Sequence, residues 1–441
     1  MIRLIPILLL VSAATATATE IAILNVNVIT MTDARVVAGQ TVLIDDGLIT
    51  SIGDVDATPI PEDIVVVDGT DRFVMPGLAE MHAHVPTQQR SIERVLTLFA
   101  ANGVTTIRGM LGAPVHLPLR DHLKNSAVFG PRLITSGPSM NGNSVTSPAH
   151  GAAGVRAQFE AGYDFIKIHP GLTTAEFDAI ATTAHELGMP FAGHVPVAVG
   201  LDGVLTHRMA TIDHLDGYFA ALMPADRDST GGFGGFFDVL VADQIEVDRM
   251  SEVAAATASA GVWNVPTESL IEHRLTESSV DDLLSRPEMR YIDPQTLAQW
   301  QRSTEQVRSD SAYDQAVLRQ AVKLRRALIL ALHEAGAGLL LGSDAPQVFN
   351  VPGFSIHDEL EDLVGAGLTP YDAIATGTTA VAEFLDLNTG AVAVGRDADL
   401  VLLDANPLDD IRNTRRIHGV VLRGVWYSRT DIDSRLEGLA H

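Results

Sequence analysis

Met75-Pro-Gly-Leu-Ala-Glu-Met-His-Ala-His84 is the stretch on which the reading of the chain turns. A Pro-Gly pair opens it, and two histidines two residues apart close it. On a β-strand, side chains at i and i+2 share a face and stand about 6–7 Å apart. Two imidazoles so placed can converge on one ion, and neutral imidazole suits zinc and its first-row neighbours. In a chain of 15 histidines the pair alone is a weak signal. What decides is whether later strands bring further ligands to the same place.

Working outward, residues 75–387 alternate strands and helices. After His84 a helix is expected over Ser91–Ala101, ended by Asn102-Gly103. Seven strands then follow at Val104–Gly109, Arg132–Ser136, Asp164–His169, Pro190–His194, Thr211–His214, Val262–Pro266 and Leu339–Asp344. Several are separated by clear helices, such as Thr174–Leu187. Eight strands in this rhythm predict an α/β fold, a (β/α)8 TIM barrel, with its active site where the strands end. Two insertions break the rhythm, at about 216–260, which holds Gly231-Gly-Phe-Gly-Gly235, and at 270–335, with its longest helix over Asp310–Ala335. Both follow late strands, so they are expected over the mouth as lids or specificity elements, or else as surface helices or an oligomer contact. Ser355-Ile-His-Asp358 and Thr369-Pro-Tyr-Asp372 fit the S/T-x-x-[D/E] start signal, which puts His333 and His357 on helices as structural residues.

The two ends of the chain have a different texture. Ile21–Val28, Thr41–Gly53 with its Asp46-Gly47 hairpin signal, Ile64–Asp68, Asp397–Asp404 and Ile417–Tyr427 read as short strands. They predict a small β-sandwich built from both termini, residues 20–74 and 388–430, flanking the barrel.

Residues 1–18 have the parts of a secretory signal peptide: Arg3, the apolar run Leu4–Val11, then small residues with cleavage after Ala16 or Ala18. The expectation is export to the periplasm or medium, an uncleaved N-terminal anchor being the alternative. No later stretch is long and apolar enough to span a bilayer, so no stable membrane span is expected after signal removal. The net charge of −25 disfavours nucleic acid as a partner, since phosphate contacts need clustered Lys and Arg. With no cysteine, any metal must be held by N and O ligands.

The chemistry collects at the strand ends. His82 and His84 end the first strand, His194 the fifth, His214 the sixth and Asp344 the eighth: five N/O ligands for one rim. Lys167 lies in the fourth strand between Ile166 and Ile168, where an ammonium is costly unless paired. Either an Asp pairs it, or burial lowers its pKa and frees a neutral amine. Such an amine can take up carbon dioxide as a carbamate, an anion able to bridge two metal ions.

In this order, HxH, Lys, His, His, Asp, over a barrel with a two-ended β-domain, the chain resembles the amidohydrolase superfamily, in its binuclear branch with a carboxylated lysine. The motifs that carry the resemblance include Val74-Met-Pro-Gly-Leu, Phe165-Ile-Lys-Ile, Gly193-His-Val-Pro196, Ile212-Asp-His-Leu-Asp-Gly-Tyr218, Gly342-Ser-Asp-Ala-Pro346 and Gly395-Arg-Asp-Ala-Asp-Leu-Val. They look most like the prolidase-like and imidazolonepropionase-related members. Glu80 stands where many members carry Asp.

The resemblance implies two divalent metal ions, zinc first, with His82, His84 and Asp344 on the more buried ion and His194 and His214 on the more exposed one. N6-carboxylated Lys167 and a hydroxide would lie between them. That hydroxide would attack an amide carbonyl, and Asp344 would act as base and then acid. The expected substrate is a small-molecule amide: a dipeptide, an N-acyl amino acid, or an aryl acid joined to an aromatic amino acid. Hydrolysis of a cyclic amide, lactone or carbamate is the alternative, and a non-catalytic binding scaffold the non-enzymatic one. His169, Tyr218 and Arg108 are the substrate-binding candidates, Arg108 as an anion clamp or a structural pair. His116 and His150 are expected outside the chemistry, Trp263 and Phe191 in the core. A homo-oligomer is compatible with all of this.

Overall fold

The Asp46-Gly47 turn forms with both residues at positive φ, 47° and 78°, the geometry that matches the twist of the strands it joins. The computed structural model describes residues 20–125, 128–224, 236–275, 278–310 and 313–441. The expected signal peptide, 1–18, and the glycine-rich 231–235 lie outside the described residues.

Five strands come from the N-terminal part: β1 (Ile21–Ile29), β2 (Val36–Asp45), β3 (Leu48–Asp54), β4 (Val65–Asp68) and β5 (Phe73–Pro76). Seven short parallel strands follow: β6 (Leu78–Ala83), β7 (Val104–Gly109), β8 (Arg132–Thr135), β9 (Ile166–Ile168), β10 (Phe191–Gly193), β11 (Thr211–Asp213) and β12 (Trp263–Val265). The C-terminal part adds β13 (Leu400–Leu403), β14 (Ile417–Leu422) and β15 (Val425–Ser428).

The termini meet in one eight-stranded sheet, ordered β15-β14-β13-β5-β1-β2-β3, with β4 parallel on β1. Both termini contribute strands to this single hydrogen-bonded path. The antiparallel pairing of β5 with β13, Met75 opposite Val401, ties the two ends together just before β6 begins. The sheet has its own apolar core, including Ile21, Ile23, Val28, Val74, Leu400 and Leu402.

The central α/β part holds two parallel sheets, β6-β7-β8 and β9-β10-β11-β12. Isolated bridges join their neighbourhoods: Ser136 to Phe165 between β8 and β9, Asn264 to Leu339 beyond β12, and Ala83 to Ala345 beyond β6. The expected eighth strand, Leu339–Asp344, is not a regular strand. Leu340 N donates to Asn264 O and Met81 N to Leu341 O, but further on side chains take over the ladder. Glu80 accepts from Ser343 N, Asn350 donates to Ser343 O, and Asp344 sits at φ 63°.

The helix Thr174–Leu187 shows how the sequence sets an element next to the site. Thr173 and Glu176 form a reciprocal capping box, and Gly188 ends the helix at φ 65°. Losing such a cap costs about 0.5–2 kcal/mol. The helix buries Phe177, Ile180, Ala181 and Ala184 and connects β9 to β10, the strands of Lys167 and His194. Thr369 caps its helix as expected, accepting from Asp372 N. Ser355 does not: it is the first residue of Ser355–Ala366, and its hydroxyl turns back to Val351 O and Ser343 Oγ. The longest helix runs Gln315–Glu334, started by Asp314. No helix among the described residues is long and apolar enough to cross a membrane.

Candidate metal centre

β6 carries His82 and, just past its end, His84. The donor atoms of His82, His84 and Asp344 lie within 4.8 Å of one another. His84 Nε2 is 2.8 Å and His82 Nε2 3.7 Å from Asp344 Oδ1. The remaining histidines pack ring against ring beside them. Centroids are 4.5 Å apart for His82 and His214, 4.8 Å for His194 and His214, and 4.9 Å for His169 and His194. The six residues expected as ligands therefore fall in one neighbourhood, with Lys167 fully buried among them on β9.

Each ring is aimed by a partner of its own. His194 Nδ1 lies 3.1 Å from Asp216 Oδ2, which also accepts from Val195 N. His214 Nδ1 lies 2.8 Å from Thr267 Oγ1. These contacts commit Nδ1 and leave Nε2 of both rings as the donor for an ion. His214, Thr267 and Asp344 all hold left-handed backbone, φ 65°, 50° and 63°, so the surrounding contacts keep three non-glycine residues strained at the site. Gly193, at φ 130°, is required for another reason: a Cβ there would lie 2.4 Å from Ile168 O and 2.9 Å from Lys167 Cδ.

Burial sets the protonation states. It pushes His82 far below the usual imidazole range, with Lys167 adding to the effect, and His214 likewise, with His82 as its next neighbour. His169 is pushed down to about 3, again chiefly by burial. Neutral imidazole is the ligating form. Burial also lowers the Lys167 amine, against the opposing pull of Asp213. Glu80 is buried beneath His82 and accepts from His82 N and Ser343 N, its carboxyl pushed up to about 8 by burial. It serves the backbone of the His82 and Ser343 segments and lies outside the group of His82, His84 and Asp344 donors.

Several buried atoms have no hydrogen-bond partner among the described residues: His82 Nδ1, Lys167 Nζ, His169 Nδ1, Asp213 Oδ2 and Asp344 Oδ1. Native interiors rarely leave such atoms unmet, and here five lie together. N and O donors with this deficit fit a metal-binding group, and a buried amine that lies 3.6 Å from Asp213 Oδ2 without forming a hydrogen bond fits a lysine open to modification.

The substrate candidates fare differently. His169 stays at the site, stacked on His194. Tyr218 does not: it is fully buried on the helix Tyr218–Ala221, and its hydroxyl donates to Asn264 Oδ1 at 2.7 Å and meets Thr257 Oγ1. It has nothing to offer a substrate carbonyl. Arg108 resolves to the structural pair, donating to Met81 O, Thr211 Oγ1 and Asp213 Oδ1. His116 is buried against Pro86 O, and His150 meets Thr146, both away from the donors. His357 is held by Thr414 and Asn102 O, His333 lies on its helix 4.0 Å from Asp372, Phe191 is core and Trp263 packs on Phe384.

Sequence reasoning missed Asp213, Asp216, Thr267, Arg325 and Phe237. The first two flank His214 in Asp-His-Leu-Asp, and acids beside a ligand histidine are a readable signal. Arg325 donates to His214 O, Pro266 O and Glu268 Oε2, fully buried, from 111 residues downstream of His214. Phe237 stacks on His214 at 4.5 Å with an interplanar angle of 12°. Nothing local in the sequence marks either.

Known structures share this fold. A prolidase-like protein from Bifidobacterium longum superposes with TM-score 0.70 at 24% identity, over 96% of this chain and 99% of its own. A bottromycin amidohydrolase superposes with TM-score 0.72 at 25% identity, over 95% of this chain and 90% of its own. A Xaa-Pro dipeptidase gives 0.67 at 19%, over 93% and 100%. Comparison with curated protein sequences gives no match. The sequence profile of the amidohydrolase family matches residues 73–427, and the chain belongs to that family.

Proposed function

We propose that the protein is a binuclear metal-dependent hydrolase that cleaves an amide bond in a dipeptide or an N-acyl or aryl-acyl amino acid. The observation that carries this is the convergence of His82, His84 and Asp344 donors within 4.8 Å, beside a buried lysine amine without a hydrogen-bond partner. In this reading His82, His84 and Asp344, together with His194, His214 and carboxylated Lys167, would hold two divalent ions, zinc being the first choice. The ions, when bound, lower the pKa of a water and polarise the substrate carbonyl. The protein's own part is to place the acyl carbon against that water and manage its proton. Asp344 would take that proton and return it to the leaving amine as the C–N bond breaks. His169, with a free Nδ1 beside His194, is the substrate-facing candidate.

The reading has an architectural side. The bridges at Ser136, Leu339 and Ala345 support closure of the parallel strands into a (β/α)8 barrel over 75–387, with 20–74 and 388–430 as the β-domain. The relatives that are a Xaa-Pro dipeptidase and a bottromycin amidohydrolase support amide cleavage as the chemistry. Residues 1–18 are proposed to direct export, so N-terminal sequencing of the secreted or periplasmic protein should begin at Thr17 or Thr19; retention of Met1 there would exclude cleavage.

The decisive experiment joins metal analysis to a screen of dipeptides, N-acyl amino acids, cyclic amides, lactones and carbamates. Lys167→Ala should abolish turnover and lose one or both ions per chain. Full activity with unchanged metal content would exclude the binuclear reading, and turnover confined to lactones or carbamates would redirect the substrate class.

A further inference from the structure

Asp213 is buried on β11, one residue before His214, and its two carboxylate oxygens face different ways. Oδ1 is committed to the scaffold: Thr211 Oγ1 donates to it at 2.7 Å and Arg108 Nη2 at 3.3 Å. Arg108 is itself fixed, with Nε donating to Met81 O at 2.7 Å, Nη1 to Thr211 Oγ1 at 3.1 Å, and its guanidinium lying over the rings of Phe165 and Phe384. Oδ2 faces the metal centre. It lies 3.1 Å from His82 Nδ1 and 3.6 Å from Lys167 Nζ. Neither contact is aligned as a hydrogen bond, and Oδ2, His82 Nδ1 and Lys167 Nζ all remain unsatisfied. Three buried polar atoms thus face one another at the distance where a small rotation would satisfy them all, and such contacts tighten when a site is filled.

We infer that Asp213, braced by Arg108 and Thr211, is a positioning residue of the metal centre: it fixes His82 with its proton on Nδ1, so that Nε2 is the ligating atom, and it receives the N–H that Lys167 retains after carboxylation. The inference rests on the metal-centre reading above. A carboxylate behind a ligating imidazole fixes tautomer and ring orientation, and losing it typically costs about 10–100-fold in metal affinity. On Lys167, addition of carbon dioxide to the neutral amine forms one N–C bond and releases one proton. The nitrogen keeps a single N–H, and Asp213 Oδ2 is the acceptor within reach. The brace accounts for the burial of Arg108, whose three nitrogens each donate within the scaffold: to the far oxygen of Asp213, to Thr211 and to the β6 carbonyl one residue before His82.

The substitution that separates positioning from packing is Asp213→Asn. Arg108 and Thr211 both present donors to Oδ1, so the amide oxygen must take that place and the NH2 must take the place of Oδ2. It then donates toward His82 Nδ1, moving the imidazole proton to Nε2, where it blocks ligation. Zinc affinity measured by competition with a chromophoric chelator should fall about 10–100-fold. The melting temperature of the metal-free chain controls for folding. Because Asp213→Asn also weakens the partner of a buried guanidinium, the double variant Arg108→Met with Asp213→Leu replaces the pair by apolar residues of similar size. Such replacements commonly preserve stability. It should melt near the wild type without metal and still bind zinc 10–100-fold more weakly. Wild-type zinc affinity in either variant overturns the inference, because packing would then be the whole role of the pair. Imidazole nitrogen shifts of the metal-free wild type give a readout without substitution. His82 should carry its proton on Nδ1, and finding it on Nε2 also overturns the inference. A wild-type chain that binds no zinc, with His82 protonated on Nδ1, would instead count against the binuclear reading and leave the Asp213 contact standing.

Discussion

The two insertions look alike as sequence, each a long run after a late strand, yet they reach the metal centre from opposite directions. The 216–260 insertion lays one side chain across the imidazoles: Phe237 stacks on His214 and, more distantly, on His194 at 6.1 Å. Among its described residues, the 270–335 insertion makes no ring contact with these histidines. Its helix Gln315–Glu334 sends Arg325 under the site to grip the carbonyls of His214 and Pro266, with Glu268 as its counter-ion. Among the described residues, the first insertion meets the imidazole rings and the second the backbone behind them. Insertions after late strands are commonly read as lids, and among the described residues the first has a lid's contacts. The second belongs to the frame.

That contrast is broken most directly at Arg325. Arg325→Met strands the buried Glu268 carboxylate and removes donors from two carbonyls at once. Removing one partner of a buried ion pair costs about 3–5 kcal/mol. Urea unfolding of the metal-free chain should show a loss of that size, with weaker zinc binding following from a loosened His214. A loss below about 1 kcal/mol would place the second insertion among ordinary surface helices.

Much of this frame was legible in the residues, and the illegible part has a physical pattern. Period and turn chemistry marked the strands of His84, Lys167, His194 and His214, because ligands at strand ends repeat a local signal. Asp344 was found at the right place for a partly wrong reason. It stands on a segment whose ladder gives way to side-chain bonds from Glu80 and Asn350, which no strand pattern announces. Tyr218 was misread because spacing from His214 does not say that its hydroxyl is spent on Asn264. Arg325 and Phe237 act over sequence separations that carry no local trace. Chemistry carried by strand ends was readable, and support arriving from distant helices was not.

The frame should also show in the pH dependence of stability. Glu359, on the helix Ser355–Ala366, accepts from Glu268 N at 3.0 Å and Ser269 N at 2.8 Å, covering the start of the helix Glu268–Leu275. Burial pushes its carboxyl up to about 8 from an ordinary value of 4.5. Between those values the folded chain holds a proton that the unfolded chain has released, so this group's share of stability falls as pH rises. The fall should approach, at most, about 1.4 kcal/mol per pH unit and level off above pH 8. Glu359→Gln should flatten that slope in metal-free unfolding curves taken from pH 5 to 8. An unchanged slope would mean that Glu359 ionises freely and caps the helix as an ordinary carboxylate.

Phe237 should give the smallest effect on stability and the most specific effect on turnover. Its ring is half-buried, and an aromatic pair contributes about 0.5–1.5 kcal/mol beyond the area it covers. Phe237 and Asp238 hold φ 52° and 56°, left-handed values that cost a non-glycine residue and persist only where the surroundings impose them. Phe237→Ala removes the ring but neither the imidazole partners Asp216 and Thr267 nor the grip of Arg325, so zinc affinity should change by less than about threefold, an energy below 1 kcal/mol. What should move is KM. A planar wall over His214 and His194 shapes the space a substrate group enters, and losing uniform binding raises KM while sparing kcat. Phe237→Leu, keeping an apolar wall without the stacking face, should fall between. If Phe237→Ala weakened zinc as much as Arg325→Met, ring face and backbone grip would be one support reached by two routes, and the distinction between lid and frame would fail.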